Sequence, residues 1–263
     1  MHPYLFYIGG FPIRAYGLMI SLGIIAGLAV AYQRAKKAGK YQEEVLDFAL
    51  YAVLGALVGA RIWEVAFTWD YYGKNLSEII AVWHGGLSIQ GSILGGVLVG
   101  IWYTRKHKIK FWEFADIMAP GLILGMAIGR VGCLLNGDAF GIPAVQAPAI
   151  LQALGVVYQP GTPAYEAFQN TPLIPAESFE AILDLVIFSI LLTIRRKPFT
   201  GFIFLLYASL YSLSRFSLEF LRADSLRTIF NLKTAQLSSI IIILLSLALS
   251  LYLYKRQKAK SSS

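Results

Sequence analysis

The stretch Gly129-Arg-Val-Gly-Cys-Leu-Leu-Asn-Gly-Asp-Ala-Phe-Gly141 places a cation, Arg130, near the end of an apolar run that begins at Ile117, and it closes in a polar, glycine-rich loop. An apolar run of this length is typical of a membrane-spanning helix, in which a charged residue is costly. Such a residue usually serves a ligand, a relay or a pathway. The rest of the chain can therefore be interpreted as what holds Arg130 in place.

The composition of the 263 residues is that of an integral membrane protein. Hydrophobic residues make up 57% and charged residues only 14%, whereas soluble domains contain roughly 25% charged residues. Seven apolar stretches approach the twenty or so residues needed to cross a bilayer. We predict an all-α integral membrane protein with about seven transmembrane helices: Arg14–Tyr32, Val45–Phe67, Gly86–Tyr103, Phe114–Leu135, Ser178–Ile194, Gly201–Phe220 and Thr234–Tyr254.

The basic residues predict how these helices are oriented. The net charge is +8, and the positive residues cluster at Arg34–Lys40, Arg105–Lys110, Arg195–Lys197 and Lys255–Lys260. Each cluster separates or follows apolar stretches, as cytoplasmic connections do, so the charge reports orientation and not a nucleic-acid partner. Seven helices with the N-terminus outside and the C-terminus in the cytoplasm satisfy all four clusters.

We predict one membrane domain over residues 1–254 and a basic cytoplasmic tail over residues 255–263. The tail is expected to lack regular structure and to lie near anionic lipid. The connection from Asn136 to Glu177 contains six prolines and is too polar to span the bilayer. It is predicted to form an extracytoplasmic subdomain with a short interfacial helix near Ala147–Leu154. The N-terminus lacks the basic region of a cleaved signal peptide, so the first helix is expected to be retained.

Glycines four residues apart recur within the predicted helices. Such pairs let helix backbones approach closely where no hydrophobic force drives association. The pairs are Gly23 with Gly27, Gly55 with Gly59, Gly91 with Gly95, Gly96 with Gly100, and Gly121 and Gly125 with Gly129. We predict a compact body of tightly packed helices.

Five polar residues fall in the outer half of the membrane in this topology. Arg61, Arg130 and Arg215 come late in helices that run outward, and Tyr16 and Gln90 come early in helices that run inward. Each lies within about one or two helical turns of the outer edge. Three guanidinium groups at one depth repel one another unless anions lie between them.

Two sources of anions remain open for these arginines. Internal salt bridges are one, with Glu64 near Arg61 and with Glu219 four residues after Arg215, a spacing that pairs on a helix. A ligand phosphate is the other. We favour it for Arg130, because guanidinium binds phosphate bidentately and a lipid phosphate is the nearest anion at that depth.

Other polar residues lie near the predicted site. Tyr207 and Tyr211 share a helical face with Arg215; such aromatics usually pack, although a buried Tyr hydroxyl needs a partner. His84, before Gly85-Gly86, is typical of a residue at the headgroup level. The single cysteine, Cys133, excludes an intramolecular disulfide and a Cys-rich metal site. No metal or cofactor is predicted.

The loop after Arg130 also offers polar groups. Asn136 and Asp138 follow the arginine across the predicted helix end. Gly137 and Gly141 permit a tight turn and the close approach of a ligand. We therefore predict that this loop contributes to binding.

Together these motifs resemble the prolipoprotein diacylglyceryl transferase family of the bacterial inner membrane. The resemblance covers all but the tail. Besides Gly129–Gly141 it rests on Tyr16-Gly17-Leu18-Met19, Gly59-Ala60-Arg61-Ile62, Trp83-His84-Gly85-Gly86-Leu87-Ser88, Asp116 with Ala119-Pro120, and Tyr-x-x-x-Arg-x-x-x-Glu-x-x-Arg from Tyr211 to Arg222.

The resemblance implies an activity and a location. The diacylglyceryl group of phosphatidylglycerol would pass to the lipobox cysteine in the signal peptide of a preprolipoprotein, with release of glycerol phosphate. The active site would open to membrane lipids on the extracytoplasmic side. The nucleophile would arrive with the substrate, so no catalytic serine or cysteine is required.

The resemblance also implies roles for single residues. Arg130 and Arg215 would neutralise the phosphate, Tyr16, Asn136 and Tyr211 would orient the headgroup, and Arg61, Asp116 and Glu219 would chiefly support the architecture. The predicted catalytic residues are Arg130, Arg215, Tyr211, Gln90 and His84. The predicted substrate-binding residues are Tyr16, Arg61, Asn136, Asp138, Gly141 and Glu219.

Three positions depart from the family pattern. Gln90 stands where the family commonly has His, Cys133 stands where it usually has Asn, and Ile174-Pro-Ala-Glu-Ser-Phe-Glu180 lacks the His and Tyr of the family's stretch. The proton acceptor could then be His84 or Asp138, or the thiol could need little help because a few per cent is already ionised. Cys133 is expected to be a small buried residue and not a covalent carrier of lipid.

Two other functions remain open. A divergent paralogue would keep the lipid site and use another thiol or alcohol as acceptor. A transporter of anionic solutes would need polar residues across the whole bilayer. The cytoplasmic halves, such as Val97–Ile101 and Ile187–Ile194, are nearly all apolar, which disfavours the transporter.

Overall fold

The structure, a computed structural model, describes residues 4–9, 11–224 and 232–261. The described chain is mainly helical after a short N-terminal hairpin of β1 (Tyr4–Ile8) and β2 (Phe11–Arg14). The helices are α1 (Ala15–Ala38), α2 (Gln42–Phe67), α3 (Trp69–Tyr72), α4 (Ile89–Lys106), α5 (Phe111–Asn136), α6 (Ala149–Gln152), α7 (Pro163–Phe168), α8 (Ala176–Thr193), α9 (Phe202–Leu218) and α10 (Thr234–Ser261). Short 3-10 turns cover Leu76–Ile79, Val82–His84, Ala144–Gln146 and Glu219–Leu221.

Seven of these helices coincide with the seven predicted apolar stretches. Among the described residues, four of them, α1, α2, α5 and α10, are long and apolar enough to cross a membrane by length and composition. Helices α4 and α9 are short, with 18 and 17 residues, and α8 carries three acidic residues on its buried face. The helical membrane protein is confirmed, whereas seven spans and the orientation of the termini stay predictions.

The two ends of the chain differ from the prediction. The hairpin before α1 was not predicted; aromatic and β-branched residues favour strands there, and Gly9 takes a positive φ of 54°. The tail was predicted to lack regular structure after Tyr254, which is wrong, because α10 continues to Ser261. The Gln257 side chain accepts a hydrogen bond from Thr200 N at 2.9 Å and donates one to Thr200 O at 3.2 Å. Residues 262–263 lie outside the described part.

The chain forms two compact units, one of Met1–Ala31 with Ala115–Ser263 and one of Tyr32–Phe114. In the second unit, α2 packs on α4 through glycines. An added Cβ at Gly55 would lie 3.4 Å from Gly95 O, and at Gly59 it would lie 2.9 Å from the Gly95 Cα. Gly96 has open space around it. Close packing is therefore confirmed for Gly55, Gly59, Gly91 and Gly95.

In the first unit, α1 and α5 also approach backbone to backbone. An added Cβ would lie 2.7 Å from Gly125 O at Gly23, and 2.5 Å from Gly121 O at Gly27. These contacts confirm the predicted close packing of the two helices. The prediction is wrong for Gly129, which has nothing within 4 Å of such a Cβ.

Helices α5, α8 and α9 form a layered core in the same unit. Ala119, Ile123, Ile187, Leu191 and Ile203 pack into an apolar cluster, the apolar layer. It joins the first halves of α5 and α9 to the second half of α8. Helices α5 and α9 therefore run in one direction and α8 runs in the other.

Asp116 holds the start of α9 against α5 through hydrogen bonds. Its fully buried carboxylate accepts hydrogen bonds from Gly201 N, Phe204 N and Lys197 Nζ, each at 3.0 Å. The first backbone N–H groups of a helix lack partners within it, so an acceptor there stabilises the helix end. This position matches the architectural role predicted for Asp116.

The connection between α5 and α8 folds around two small apolar clusters. Phe140, Tyr158, Ala164 and Leu173 form one, and Ala144, Ala147 and Ile174 form the other. Helix α6 occurs where the short interfacial helix was predicted, and α7 was not foreseen. The Tyr158 hydroxyl donates to the Glu177 carboxylate. Burial, with this carboxylate beside it, holds the pKa of Tyr158 well above its ordinary value, so the hydroxyl stays a donor.

Candidate active site

One carboxylate, that of Glu180, organises the polar end of the α5–α8–α9 core. Its Oε1 lies 2.6 Å from Arg130 Nη2 on α5, and its Oε2 lies 3.2 Å from Arg215 Nη1 on α9. The Glu180 side chain is 1% exposed, whereas those of Arg130 and Arg215 are 20% and 19% exposed. The acid is therefore enclosed, whereas the two arginine side chains keep some accessible surface.

A third arginine extends this cluster. Arg222 Nη1 lies 3.6 Å from Glu180 Oε2, and Arg222 binds Asp224 through Nε at 3.0 Å and Nη2 at 2.6 Å. Lys233 Nζ donates to Arg222 O at 2.6 Å and to Glu219 O at 2.5 Å. Hydrogen bonds of Lys233 therefore connect the chain after residues 225–231 to the cluster residues before them.

Glu219 lies where the sequence predicted a pair with Arg215. Its Oε2 is 3.2 Å from Arg215 Nη2, and it is 2% exposed. Glu180 and Glu219 therefore hold the Arg215 guanidinium from two directions. This confirms the predicted salt bridge, while substrate binding by Glu219 stays a prediction.

Helix α8 presents three acids on its buried face. Glu177, Glu180 and Asp184 are 0%, 1% and 0% exposed, and the same face continues into Ile187 and Leu191 of the apolar layer. Neither carboxylate oxygen of Asp184 has a hydrogen-bond partner in the described part of the chain. The opposite face of α8 lines an apolar groove of about 430 Å³ that contains none of these acids.

Two tyrosines of α9 lie between the arginine cluster and the apolar layer. The Tyr207 and Tyr211 rings stack with centroids 6.3 Å apart, and Tyr207 Oη lies 3.3 Å from Met126 Sδ. Both rings pack against the apolar layer. The predicted shared face with Arg215 is confirmed.

The end of α5 brings four predicted residues together. Arg130 Nη1 lies 3.9 Å from Cys133 Sγ, and Asn136 Nδ2 donates to Asp138 Oδ2 at 2.9 Å. Arg130, Cys133 and Asp138 also act electrostatically on Tyr16. Tyr16 belongs to the first turns of α1, which pack on α5 at Gly132.

Two glycines of the loop after α5 allow a tight turn and a close contact between backbones. Gly137 takes a φ of 72° and donates to Cys133 O at 2.8 Å, which ends α5. An added Cβ at Gly141 would lie 2.5 Å from Ile174 O and 2.7 Å from Leu221 O. The structure therefore gives Gly141 a packing role, and its contact with a substrate stays a prediction.

Arg61 belongs to the other unit, where it organises a loop. Its side chain is 7% exposed, and the guanidinium donates to Gly85 O at 2.6 Å, Gly86 O at 2.7 Å, Ile79 O at 2.9 Å and to Glu78 O. It also bonds Tyr72 Oη at 3.1 Å. Among the described residues no Arg61–Glu64 salt bridge forms, so that predicted pair is wrong. These contacts match the architectural role.

His84 and Gln90 lie in that second unit as well. His84 Nδ1 is 2.9 Å from Glu78 Oε2 on an exposed 3-10 turn, and Ser88 Oγ donates to Gln90 Oε1 at 2.7 Å. Each has a protein partner within its own unit. Their predicted catalytic roles stay predictions.

Two of the three arginines of the cluster, Arg130 and Arg215, were predicted as site residues, whereas Arg222 and the central Glu180 were not. Arg130, Arg215 and Glu219 are brought together as predicted, and Glu180 and Asp184 were missed as site residues. The signal was present: Glu177, Glu180 and Asp184 recur every three or four residues in an apolar stretch, which places all three on one helical face.

The fold and the cluster define a helical membrane protein with a buried arginine–carboxylate site. The chain matches the family described as prolipoprotein diacylglyceryl transferase over residues 3–252. It is 37% identical to the phosphatidylglycerol–prolipoprotein diacylglyceryl transferase of Staphylococcus aureus strain JH9 over 92% of this chain and 85% of that protein. The enzyme of that name from strain bovine RF122/ET3-1 is 36% identical over the same shares. The chain belongs to the prolipoprotein diacylglyceryl transferase family, and the resemblance found in the sequence is confirmed.

Proposed function

We propose that this protein transfers the diacylglyceryl group of phosphatidylglycerol to the lipobox cysteine thiol of a preprolipoprotein signal peptide. The observation that carries this proposal is the binding of Arg130 and Arg215 to the two oxygens of one carboxylate, Glu180. Two guanidinium groups held on adjacent oxygens are spaced for two oxygens of a phosphate. Family membership supplies the substrates.

The reaction forms a carbon–sulfur bond, breaks a carbon–oxygen bond and passes the thiol proton to an acceptor. The thiol sulfur attacks the diacylglyceryl carbon that carries the phosphate ester, a thioether forms, and the carbon–oxygen bond breaks with its electrons passing to the leaving glycerol phosphate. Arg130 and Arg215 lower the barrier because negative charge grows on the phosphate as it leaves. Preorganised cations in a water-poor site stabilise such a transition state strongly.

Other residues of the unit are suited to hold the headgroup. Tyr16, Asn136 and Asp138 surround the end of α5 next to Arg130, and Tyr211 lies on the same side of α9 as Arg215. Their hydroxyl and amide groups would orient the glycerol and phosphate by hydrogen bonds, and the Asp138 carboxylate would accept hydrogen bonds from the glycerol hydroxyls. We place this site in the bacterial inner membrane, open toward the extracytoplasmic side.

An assay in defined membranes tests the activity. The purified protein is reconstituted with phosphatidylglycerol and a lipobox peptide, and the peptide is analysed by mass spectrometry. We expect a mass increase of one diacylglyceryl group that resists neutral hydroxylamine, which cleaves thioesters but not thioethers, and that depends on the peptide cysteine. An unmodified peptide in vesicles holding folded protein would contradict the proposal and favour another acceptor.

Substitution of Arg130 tests the phosphate clamp. Arg130→Ala is expected to lower the transfer rate by at least about 100-fold, the loss typical of one removed transition-state donor. Arg130→Lys should restore little, since Lys lacks the two-pronged geometry. Near wild-type rates in Arg130→Ala would exclude the clamp. Circular dichroism and gel filtration would establish that the variants fold.

The apolar layer disfavours the anion-transporter alternative. Ala119, Ile123, Ile187, Leu191 and Ile203 close the α5–α8–α9 core beyond the cluster, and a conducting path needs polar groups through the full depth. Efflux of a radiolabelled anion from vesicles containing the protein would be the contrary result.

A further inference from the structure

We propose that Asp184 is the catalytic proton acceptor for the substrate thiol, because its unpartnered carboxylate lies one helical turn beyond the Arg130–Glu180–Arg215 cluster, where the reacting carbon must lie. This inference rests on the proposed function. It concerns a residue that sequence reasoning did not single out, at a step for which the family's histidine is replaced by Gln90.

The first support is the state of the carboxylate itself. Asp184 is 0% exposed, and both its oxygens lack a hydrogen-bond partner in the described part of the chain. A buried polar group without a partner is costly and rare. The cost is explained if these oxygens receive a hydrogen bond from a substrate group during the reaction.

The second support is position along the core. Asp184 follows Glu180 by four residues, which places it about 6 Å further along α8, on the side of the apolar layer. A lipid whose phosphate replaces Glu180 on Arg130 and Arg215 directs its acyl chains toward apolar surroundings. Its reacting carbon then lies on the Asp184 side of the phosphate.

The third support is the direction of attack. A thiol displaces the phosphate in line, so the sulfur approaches from the side opposite the leaving oxygen. The phosphate ester linkage and a near-attack gap of about 3–3.5 Å together span a length similar to one turn of α8. The thiol proton is therefore released near Asp184 and away from Asp138, which lies beyond the end of α5.

The groups that face Asp184 come from three helices. They are Glu180 on α8, Arg130 on α5, and Arg215, Tyr211 and Tyr207 on α9. The phosphate adds a negative charge to this set. A proton that enters the cluster offsets that charge, so the surroundings favour transfer from the thiol to the carboxylate.

The step balances without a further reactant. The S–H bond breaks as Asp184 takes the proton, the sulfur electron pair forms the C–S bond, and the C–O electron pair leaves on the phosphate. Glycerol phosphate is then a phosphate monoester with a second pKa of about 6. It can carry the proton away and restore the Asp184 carboxylate.

The test compares a thiol with a selenol. Asp184→Asn keeps the shape and removes the base, and general-base loss typically lowers rates by about 100-fold or more. A selenol is already ionised at pH 7, so a selenocysteine lipobox peptide needs no base. In phosphatidylglycerol vesicles at pH 7, we expect Asp184→Asn to lose at least about 100-fold with the cysteine peptide but less than about threefold with the selenocysteine peptide.

The rate with the cysteine peptide should also depend on pH. In Asp184→Asn only the ionised thiol reacts, so the rate should rise about tenfold per pH unit between pH 6 and 8, below the usual thiol pKa of about 8.5. Wild-type protein should respond far less. Asp184→Glu, which keeps a carboxylate, should recover part of the rate with the cysteine peptide.

The controls separate this proposal from others. Equal losses with both peptides would overturn the role of Asp184 and leave it structural, and a selective loss in Asp138→Asn would assign the base to Asp138. Ser189→Ala, on the opposite face of α8, should behave as wild type. If wild-type protein modifies neither peptide, the transfer activity itself fails. If Asp184→Asn does not fold, the peptide comparison in Asp184→Glu decides, since a displaced base slows the cysteine peptide alone.

Discussion

Glu180 is a single carboxylate that holds three arginines from two parts of the chain. Glu180→Gln keeps the shape of the side chain and removes the charge, so Arg130, Arg215 and Arg222 lose their shared anion. Removing one partner of a buried ion pair costs about 3–5 kcal/mol. We expect a lower melting temperature by several degrees in phosphatidylcholine nanodiscs.

Lipid should reduce this loss. If phosphate occupies the same arginines, phosphatidylglycerol nanodiscs should return part of the lost melting temperature to Glu180→Gln. Glu166→Gln, at an exposed position on α7, is the matched control and should change stability by less than about 0.5 kcal/mol. An equal loss in both lipids would show that the arginines do not bind the headgroup phosphate.

A conservative substitution of Cys133 tests whether this residue carries lipid covalently. Its Sγ lies 3.9 Å from Arg130 Nη1, a contact that a serine hydroxyl can replace. Because the substrate supplies the nucleophile, Cys133→Ser should keep the transfer rate within about threefold. Loss of activity in a folded Cys133→Ser protein, with a lipid adduct on Cys133 in wild type, would support a covalent carrier.

At the residue scale, the sequence predicts cations better than their counterions. Arg130 and Arg215 are conspicuous because a positive charge interrupts an apolar helix. Glu180 lies in the second turn of α8, between Glu177 and Asp184, and the sequence does not distinguish which of these three acids binds the arginines. Only its contacts with arginines on α5 and α9 reveal its position at the centre of the cluster, and sequence spacing within one helix does not report such contacts.

At the element scale, neighbouring glycines of α4 should respond in opposite ways. An added methyl group at Gly95 meets the backbone of Gly55, whereas Gly96 has open space. Gly95→Ala should lower the melting temperature because α2 and α4 must separate. Gly96→Ala should leave it unchanged or raise it, since Ala favours helix by about 1 kcal/mol over Gly. Similar losses in both variants would contradict the packing described here.

Hydropathy predicts where helices lie better than where they end. It locates all seven long helices because burial and membrane insertion both require apolar residues. It misses the helical continuation of α10 past Tyr254, since Lys, Arg, Gln and Ala are polar or small but favour helix strongly. It also misses the hairpin before α1, which depends on pairing between two short segments.

At the scale of the whole molecule, the three arginines predicted to lie at one depth are divided between the two units. Arg130 and Arg215 belong to the unit with the carboxylate cluster, and Arg61 serves a loop of the other unit. The prediction of three arginines at one depth rested on hydropathy and charge alone. Those signals cannot distinguish an arginine that binds backbone carbonyls from one that faces a ligand.

The apolar layer beneath the cluster has a consequence for the cell's energy supply. A bacterial membrane stores a proton gradient, and a hydrated channel of charged residues across it would dissipate that store. The five side chains of the apolar layer, Ala119, Ile123, Ile187, Leu191 and Ile203, offer protons no hydrogen-bonding groups to follow. In the membrane placement proposed above, the ionic site would open to one face of an energised membrane, and the apolar layer would insulate the α5–α8–α9 core.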